Sequence, residues 1–394
     1  MRSFYENKDF VLYKGDTFQL LEELEEKVDM IFADPPYFLS KGFTMRSKGR
    51  VKCFDKGEWD KERSLSEIND FNMKWLSSCR NILKDNGTIW VSGTYHNIYS
   101  VANCMVELGY KILNIIVWNK PDAPLTLSDY HFNFSAEYII WARKSKDKRH
   151  YFNKELMTFV NGGKRMSDVW NIPTTGLWEK TCGKHPTQKP LRLIYRIILA
   201  STEEDHLILD PFAGSCTTGI AANLLNRKFI GFDQSEEFLS LGVARRKEIE
   251  DASNATKLFR KMSENPNDVM VMINHARKDL KDKMIETGIC YLRAGDSKGS
   301  LCVTPGFERM QYVLLHTAGD EVKMYRLKSK GQFQIWTKET LETHGFHPEH
   351  APYYVVLLFD NTQEIPLSKK INIKERLNTY RARIRPLSDF IGIK

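Results

Sequence analysis

The segment between residues 206 and 233 constrains the fold of this 394-residue chain more than any other. Residues 206–210 form an apolar run that ends in Asp210 and predicts a buried strand. A Gly-rich turn, a helical pattern to about Asn226 and a second short strand ending in Asp233 follow directly. This order is the layout of a nucleotide-binding βαβ unit, in which the second acid accepts hydrogen bonds from ribose hydroxyls. The turn lacks the G-x-G-x-x-G spacing, so the sequence disfavours a pyrophosphate and favours a ligand with a ribose and a cationic ammonium, such as S-adenosylmethionine.

A second motif, Asp34-Pro35-Pro36-Tyr37, follows the apolar run of residues 28–33. That run predicts another buried strand of a parallel sheet. Each proline fixes its own φ and restricts the residue before it, so the loop after the strand is stiff. The loop lies at the carboxyl end of its strand, which is the edge where open α/β sheets bind ligands. A fixed carboxylate, a backbone carbonyl and an aromatic face together suit a flat molecule with an exocyclic amine, as in a nucleobase.

In order and spacing, these motifs resemble those of the β group of DNA amino-methyltransferases, in which D-P-P-Y precedes a cofactor turn of the form D-P-F-x-G-S-x-T-T-G. Two further motifs are typical of that group: His-Pro-Thr-Gln-Lys-Pro at residues 185–190, and Gly15-Asp16 after a short first strand. The four motifs together cover about residues 8–250. One departure is Cys216, where many members carry Gly, and Gly would matter if φ were positive there.

The resemblance implies a circularly permuted, Rossmann-like α/β fold, in which a sheet of seven strands carries helices on both faces. The strand that would follow the ribose strand in an unpermuted chain is here the first strand, which ends near Asp16. The apolar runs predict strands at residues 10–14, 28–33, 88–92, 112–118, 137–142, 206–210 and 228–233. Helices are predicted at residues 17–26, 70–83, 191–202 and 235–250, with Gly87 as the terminator of the second.

The same resemblance implies a role for each motif residue. The predicted catalytic residues are Asp34, Pro35, Pro36 and Tyr37: the acid and the Pro35 carbonyl accept the amine hydrogens, and the aromatic ring stacks on the base. The predicted cofactor-binding residues are Asp16, Asp34, Lys189, Asp210, Pro211, Phe212, Gly214, Ser215, Thr217, Thr218 and Asp233. Among them, Asp16 is assigned to the adenine of the cofactor and Asp233 to its ribose. Either of these two acids on its own would indicate only a helix cap or a turn.

The implied activity is transfer of the methyl group of S-adenosylmethionine to the N6 atom of a flipped-out adenine in double-stranded DNA, as part of a restriction–modification system. Cytosine-N4 methylation uses the same chemistry, but those enzymes usually begin the catalytic motif with Ser, so Asp34 favours adenine. A protein-glutamine methyltransferase would begin it with Asn. A catalytically inactive DNA-binding module would not need the intact Asp34 and Asp210. A homodimer and a cognate restriction endonuclease stay open as further partners.

Positive charge is unevenly distributed along the chain. Of the net charge of +8, about six units fall in residues 251–394. Seven basic residues are predicted to bind DNA phosphates: Lys41, Arg46, Lys48, Arg50 and Lys52 after the catalytic motif, and Lys164 and Arg165 farther along the chain. A solvated loop is the alternative for the first five.

The pattern changes after residue 250, which predicts two domains. Residues 1–250 are predicted to form the methyltransferase domain, with a target-recognition segment at about 145–185, and residues 251–268 a linker. Residues 269–394 predict a separate α+β domain that contacts DNA, with an oligomerisation element as the alternative. Its predicted elements are a helix at 269–287 and strands at 301–303, 312–316, 322–327, 333–336 and 353–359.

Four absences narrow the function further. The seven cysteines are scattered, odd in number and outside C-x-x-C pairs, which favours reduced thiols, as in the bacterial cytoplasm, over disulfides or zinc. None follows a proline, so the Pro-Cys nucleophile of cytosine-C5 methyltransferases is absent. His344, His347 and His350 are spaced by three, but Pro348 interrupts a helix there and no metal is expected. No signal peptide or membrane span is expected, because no apolar run is long enough.

Overall fold

The protein is described by a computed structural model, which covers residues 1–38, 43–47, 50–54, 63–125, 130–160, 165–175, 177–180, 182–250, 270–293, 310–317, 319, 321–328, 334–348, 353–367 and 383–387. The chain divides into two compact units: residues 1–153 with 167–244, and residues 154–166 with 245–394. The predicted linker at 251–268 lies outside the described residues. The functions assigned to the two predicted domains stay predictions.

The first unit is built on a sheet of nine strands. In chain order these are β1 (Tyr5–Asn7), β2 (Phe10–Lys14), β3 (Val28–Ala33), β6 (Leu83–Gly93), β7 (Lys111–Asn119), β8 (Ala136–Arg143), β9 (Val169–Asn171), β10 (Leu207–Asp210) and β11 (Lys228–Asp233). A separate hairpin of β4 (Phe43–Ser47) and β5 (Arg50–Phe54) follows β3 in the chain. The order across the sheet is β1-β2-β11-β10-β3-β6-β8-β7-β9. Strands β2, β11, β10, β3 and β6 are parallel, and β8 is antiparallel to both of its neighbours.

Among the described residues up to 250, the α-helices are α1 (Thr17–Glu23), α2 (Leu65–Ile82), α3 (Ile98–Glu107), α4 (Lys154–Val160), α5 (Leu191–Ser201), α6 (Thr217–Leu224) and α7 (Glu236–Glu250). Helix α2 begins five residues before the predicted start at 70, because Ser64 and Glu67 cap its first turn reciprocally. Helix α1 ends at Glu23, before the predicted residue 26.

The permuted α/β fold is confirmed, and all seven predicted strands are present with bounds that differ by a few residues. The sheet is wider than predicted, because β1 and β9 extend its two edges. Each of these strands has only three residues, too few for a periodic pattern to show. Gly87 does not terminate α2, which ends at Ile82; it lies inside β6. A Cβ at Gly87 would lie 2.9 Å from the backbone oxygen of Asp29, so close packing of the two strands requires glycine there.

Strands β3 and β10 are neighbours at the centre of this sheet, with Leu209 opposite Ile31. From β10 the chain passes through α6 to β11 on one side, and from β3 it passes through α2 to β6 on the other. The two connections diverge at this pair, so the carboxyl ends of β3 and β10 open a crevice where such sheets bind ligands. The buried side chains of β3, including Met30 and Phe32, hold the strand between the helical layers and fix where Asp34 emerges.

The second unit contains a seven-stranded sheet. Its strands are β12 (Met270–His275), β13 (Ile289–Arg293), β14 (Met310–His316), β15 (Lys323–Leu327), β16 (Gln334–Thr337), β17 (Tyr353–Glu364) and β18 (Arg383–Pro386), in the order β13-β17-β15-β14-β12-β18 with β16 paired to β17. Besides α4, its described helices include α8 (Lys278–Thr287) and α9 (Lys338–Thr343).

The prediction of one helix over residues 269–287 is wrong in its first half. Residues 270–275 form β12, which pairs with β14 on one side and β18 on the other. Val271 and Ile273 are buried with Leu314 and Met324, so tertiary pairing decides the local structure of this apolar run. The predicted strand at 301–303 lies outside the described residues. Among the helices that the structure describes, none combines the length and apolar character that crossing a membrane requires.

Candidate active site

A cavity of about 340 Å³ lies at the carboxyl ends of β2, β3, β10 and β11. The predicted site residues that line it are Asp16, Asp34, Pro35, Pro36, Tyr37, Pro211, Phe212, Gly214 and Asp233. Aromatic rings that the motifs did not mark complete the wall: Phe18, Phe38, Phe71, Phe232 and Phe238. Flat apolar surface beside carboxylates fits an adenosine group that carries ribose hydroxyls and a positive charge.

The carboxylate of Asp34 is held at both of its oxygens. The hydroxyl of Tyr37 donates to Oδ1 at 2.6 Å, and the ammonium of Lys189 donates to Oδ2 at 2.5 Å. Burial, followed by the charges of Asp34 and Glu137, raises the pKa of Tyr37 well above its ordinary value, so this hydroxyl stays a donor. Lys189, predicted to bind the cofactor, therefore contacts the carboxylate of Asp34 and is not among the residues that line the cavity.

The turn that follows β10, which we call the cofactor turn, is held by Asp233. Its Oδ2 accepts a hydrogen bond from the backbone N–H of Gly214 at 2.8 Å, and its Oδ1 accepts one from Ser235, also at 2.8 Å. Gly214 has a φ of 48°, and a Cβ there would lie 3.0 Å from Nε2 of His185. Glycine is required at this position by both conformation and space. The His185 motif thus packs directly against the turn.

Asp16 combines two roles. Its Oδ1 accepts a hydrogen bond from the backbone N–H of Phe18 at 3.0 Å, so Asp16 caps α1. A helix cap is the role that an acid at this position would have without the other motifs. Its Oδ2 accepts from the side-chain amide of Gln234 at 3.1 Å, and the residue also lines the cavity. Capping α1 therefore places this carboxylate where the resemblance predicts contact with the adenine.

Asp210 is buried and is not among the residues that line the cavity. Its Oδ2 accepts from the hydroxyl of Thr218 at 2.6 Å, and its Oδ1 accepts from the backbone N–H of Phe212 at 3.0 Å. Burial raises the pKa of Asp210 from 3.8 to about 7, although these two bonds oppose the shift. Ser215, Thr217 and Thr218 are likewise buried beneath the turn and outside the cavity lining.

Cys216 adopts the conformation that glycine would favour, with a φ of 57°. Its thiol is fully buried against α7, where the space is provided by Gly242. A Cβ on Gly242 would overlap Sγ of Cys216 and lie 2.9 Å from its Cβ. The bulky residue in the turn is therefore matched by a glycine in the helix that covers it.

The family model of DNA methylases that covers N6 and N4 enzymes matches residues 28–244. This match includes both the Asp34 motif and the Asp210 turn and spans more than half of the chain. The chain belongs to the DNA methylase family. The methyl donor of this methylase is S-adenosylmethionine, and the aromatic and acidic lining of the cavity fits that molecule.

Two relatives are similar to this methylase over most of their own length. The type II methyltransferase M2.MboI of Moraxella bovis is 50% identical over 245 residues, which are 62% of this chain and 90% of the relative. M2.DpnII of Streptococcus pneumoniae is 49% identical over 255 residues, 64% of this chain and 95% of the relative. A solved structure, the M1.HpyAVI-SAM complex, is 27% identical with a TM-score of 0.47 and covers 60% of this chain and 98% of its own.

Of the seven DNA-binding residues predicted for the methylase, three fall in parts that are not described. Lys41, Lys48 and Lys164 lie outside the described residues. Arg46 lies on β4, and Arg50 and Lys52 lie on β5, so this basic segment forms a hairpin. Arg165 is exposed. Their contact with DNA stays a prediction.

Glu137 is a charged residue near Asp34 that sequence reasoning missed. It lies in β8, and its Oε2 is 3.5 Å from the hydroxyl of Tyr37 and 3.8 Å from Nζ of Lys189. The sequence gives only a weak indication of its role, namely one acid at the start of a largely apolar strand.

Proposed function

We propose that this methylase transfers the methyl group of S-adenosylmethionine to N6 of adenine in double-stranded DNA, as the modification enzyme of a restriction–modification system. The observation that supports adenine is the carboxylate of Asp34, fixed by Tyr37 and Lys189 at the wall of the cavity. A carboxylate offers about four lone-pair positions, so two stay available for an amine hydrogen after these two bonds. The type II relatives support the restriction–modification role.

The protein contributes to the reaction mainly by orienting the methyl donor and the target base. The bound donor supplies a methyl group on a positively charged sulfur. Asp34 accepts one N6 hydrogen and the Pro35 carbonyl the other, which draws the nitrogen lone pair out of conjugation with the ring. The nitrogen bonds to the methyl carbon as the carbon–sulfur bond breaks, sulfur keeps the electron pair, and the N6 proton leaves through Asp34 to water. In-line orientation supplies much of the rate, and stacking on Tyr37 offsets part of the cost of base flipping, about a few kcal/mol.

Product analysis tests the proposal directly. Plasmid DNA is methylated by the full chain, digested to nucleosides and analysed by mass spectrometry. N6-methyl-2′-deoxyadenosine is expected. N4-methyl-2′-deoxycytidine would assign the same chemistry to the other base, and unmodified DNA in the presence of bound S-adenosylmethionine would reject methyl transfer to DNA altogether.

Donor binding should be coupled to proton release from Asp210. Because the pKa of Asp210 is raised to about 7, its carboxyl is largely protonated at pH 6. A cation in the neighbouring cavity favours the carboxylate, so binding should expel a proton at pH 6 and none at pH 8. The dissociation constant for S-adenosylmethionine should therefore fall by about tenfold from pH 6 to pH 8.

Calorimetry in two buffers with different ionisation enthalpies measures this proton release. Asp210→Asn is the matched control, because it keeps the side-chain size and removes the titrating group. Affinity that does not change with pH in the wild-type protein would contradict the assignment of the titration to Asp210.

We further propose that the second unit contacts DNA, since residues 251–394 carry about six of the eight net positive charges. A chain ending at about residue 255 retains every strand of the nine-stranded sheet. It should bind S-adenosylmethionine normally, bind DNA more weakly, and show a shallower slope of log affinity against log salt because fewer phosphates are neutralised. An unchanged salt slope together with a changed oligomeric state would make the unit an assembly element.

A further inference from the structure

Four charged side chains form a cluster at the back of the catalytic loop, which we call the Asp34 cluster: Asp34, Glu137, Lys189 and Lys120. Lys189 Nζ lies 2.5 Å from Oδ2 of Asp34 and 3.8 Å from Oε2 of Glu137. Lys120 Nζ lies 2.9 Å from Oε1 of Glu137. Each of the four side chains is at most 16% exposed. Two anions and two cations balance, so the cluster is neutral as a whole.

The four residues come from separate segments of the fold. Asp34 follows β3, Glu137 lies in β8, Lys120 follows β7, and Lys189 precedes α5. Lys189 is joined to its segment by one more bond, from Nζ to the backbone oxygen of Thr187 at 3.4 Å. Because four elements supply the cluster, its geometry is set by the packing of the sheet and not by one flexible loop.

The ammonium of Lys189 stays charged in this setting. Burial alone would lower the pKa of Lys189, but the carboxylates of Asp34 and Glu137 outweigh burial, and the net pKa is raised. Tyr37, as a neutral hydroxyl, and Lys189, as a cation, therefore hold the two oxygens of Asp34 from different sides. A carboxylate bound at both oxygens cannot rotate, and its remaining lone pairs point in fixed directions.

We propose that Lys189, held by Glu137, is a positioning residue of this methylase that fixes the orientation and the charge of Asp34, and that it is not a ligand of S-adenosylmethionine. The inference rests on the proposed role of Asp34 as the acid that accepts the N6 hydrogen. Lys189 stays protonated throughout, and the proton lost from N6 leaves through Asp34. Removing Lys189 leaves two buried carboxylates with one cation, a state that proteins relieve by protonating an acid.

Replacing Lys189 and replacing Glu137 should shift the pH profile of kcat in opposite directions. The titratable groups that face Asp34 are Tyr37 from its own loop, Lys189, Glu137 from β8 and Asp210 from β10. Lys189→Met removes the buried cation that is paired with the Asp34 carboxylate, so we expect the acid limb of kcat to move to higher pH. In Glu137→Gln a negative neighbour is lost, so the acid limb moves to lower pH. A purely structural role for either residue would not reverse the direction of the shift.

Four variants of the full chain test this inference: Lys189→Met, Lys189→Arg, Glu137→Gln and, as a matched control, Lys84→Met. Lys84 pairs with the buried Asp29 at the opposite end of β3, so Lys84→Met removes an ion pair of a buried carboxylate away from the cavity. The readouts are kcat against pH at saturating S-adenosylmethionine and DNA, and the dissociation constant of S-adenosylmethionine by calorimetry.

Lys189→Met should lower kcat by about 100-fold and move the acid limb up by about one pH unit, with donor affinity unchanged. Lys189→Arg should restore most of kcat and the position of the limb, and Lys84→Met should match the wild type. A weaker donor affinity with an unchanged kcat would make Lys189 a cofactor ligand, as the sequence predicts. An acid limb that moves in neither Lys189→Met nor Glu137→Gln would overturn the inference.

Failure of this inference is separable from failure of the proposed function. If wild-type protein yields no methyladenine, the proposed function fails whatever the variants do. If Asp34→Asn is inactive while Lys189→Met keeps wild-type kcat and pH profile, only the role of Lys189 is rejected. Should Lys189→Met fail to fold, shown by the loss of its thermal transition, Lys189→Arg and Glu137→Gln still decide between the outcomes.

Discussion

Replacing Asp34 by Asn should lower kcat by about 1000-fold, roughly 4 kcal/mol of transition-state stabilisation. The amide can still accept one hydrogen bond from Tyr37 or Lys189, but it has no charge and its NH₂ group turns a donor toward one of them. It therefore cannot hold the N6 hydrogen and take up the departing proton. The fold should persist, because Asp34 follows β3 in a loop at the sheet edge and is not part of the apolar core.

Asn is a cleaner replacement than Ala at this position. Asp34→Ala would also leave the buried ammonium of Lys189 without its 2.5 Å partner, so a loss of activity could reflect a displaced loop. Thermal denaturation and calorimetric binding of S-adenosylmethionine, both expected to match the wild type, exclude that explanation. Asp34→Asn protein that keeps more than about a tenth of wild-type kcat, a loss below roughly 1.4 kcal/mol, would remove Asp34 from the mechanism.

The central sheet could be predicted from sequence because its strands are buried on both faces. The runs at 28–33 and 207–210 are buried at every position and apolar except at Asp29 and Asp210, and each is followed by a turn whose residues are chemically distinctive. The order of the motifs then places Asp34 and Asp210 at one edge of the sheet. Local pattern and fold agree in these elements, so the predictions for them hold.

The charge cluster could not be predicted in the same way. Glu137, Lys120 and Lys189 are brought to Asp34 by the pairing of β8 between β6 and β7 and by the approach of the segment before α5. No local spacing records those contacts. Lys189 was recognised only as part of a motif, and the motif does not state which group its ammonium binds. Similarly, the strand at 270–275 depends on β14 and β18, which lie far along the chain.

Cys216 shows how a departure from a family pattern is accommodated by a residue elsewhere. Replacing Gly242 by Ala should destabilise the first unit by about 2 kcal/mol, because the added methyl overlaps the buried thiol and neither α7 nor the cofactor turn has room to move freely. The same change should weaken binding of S-adenosylmethionine, since the turn that Cys216 belongs to carries Phe212 and Gly214 of the cavity wall.

The sign of the Gly242→Ala effect should reverse when Cys216 is first replaced by Gly. Both overlapping atoms are then gone, and the next neighbour of the added methyl, Cδ1 of Leu12, lies at an ordinary 3.7 Å. Ala inside a helix is favoured over Gly by roughly 0.5–1 kcal/mol, so the double variant should be more stable than Cys216→Gly alone. The measurement is the midpoint of the thermal transition that S-adenosylmethionine raises, which identifies the first unit.

Cys216→Ser is the matched control, because serine retains the Cβ and carries an oxygen in place of the sulfur. Gly242→Ala should stay destabilising in that background. Equal effects of Gly242→Ala in all three backgrounds would show that α7 and the turn do not compete for this space.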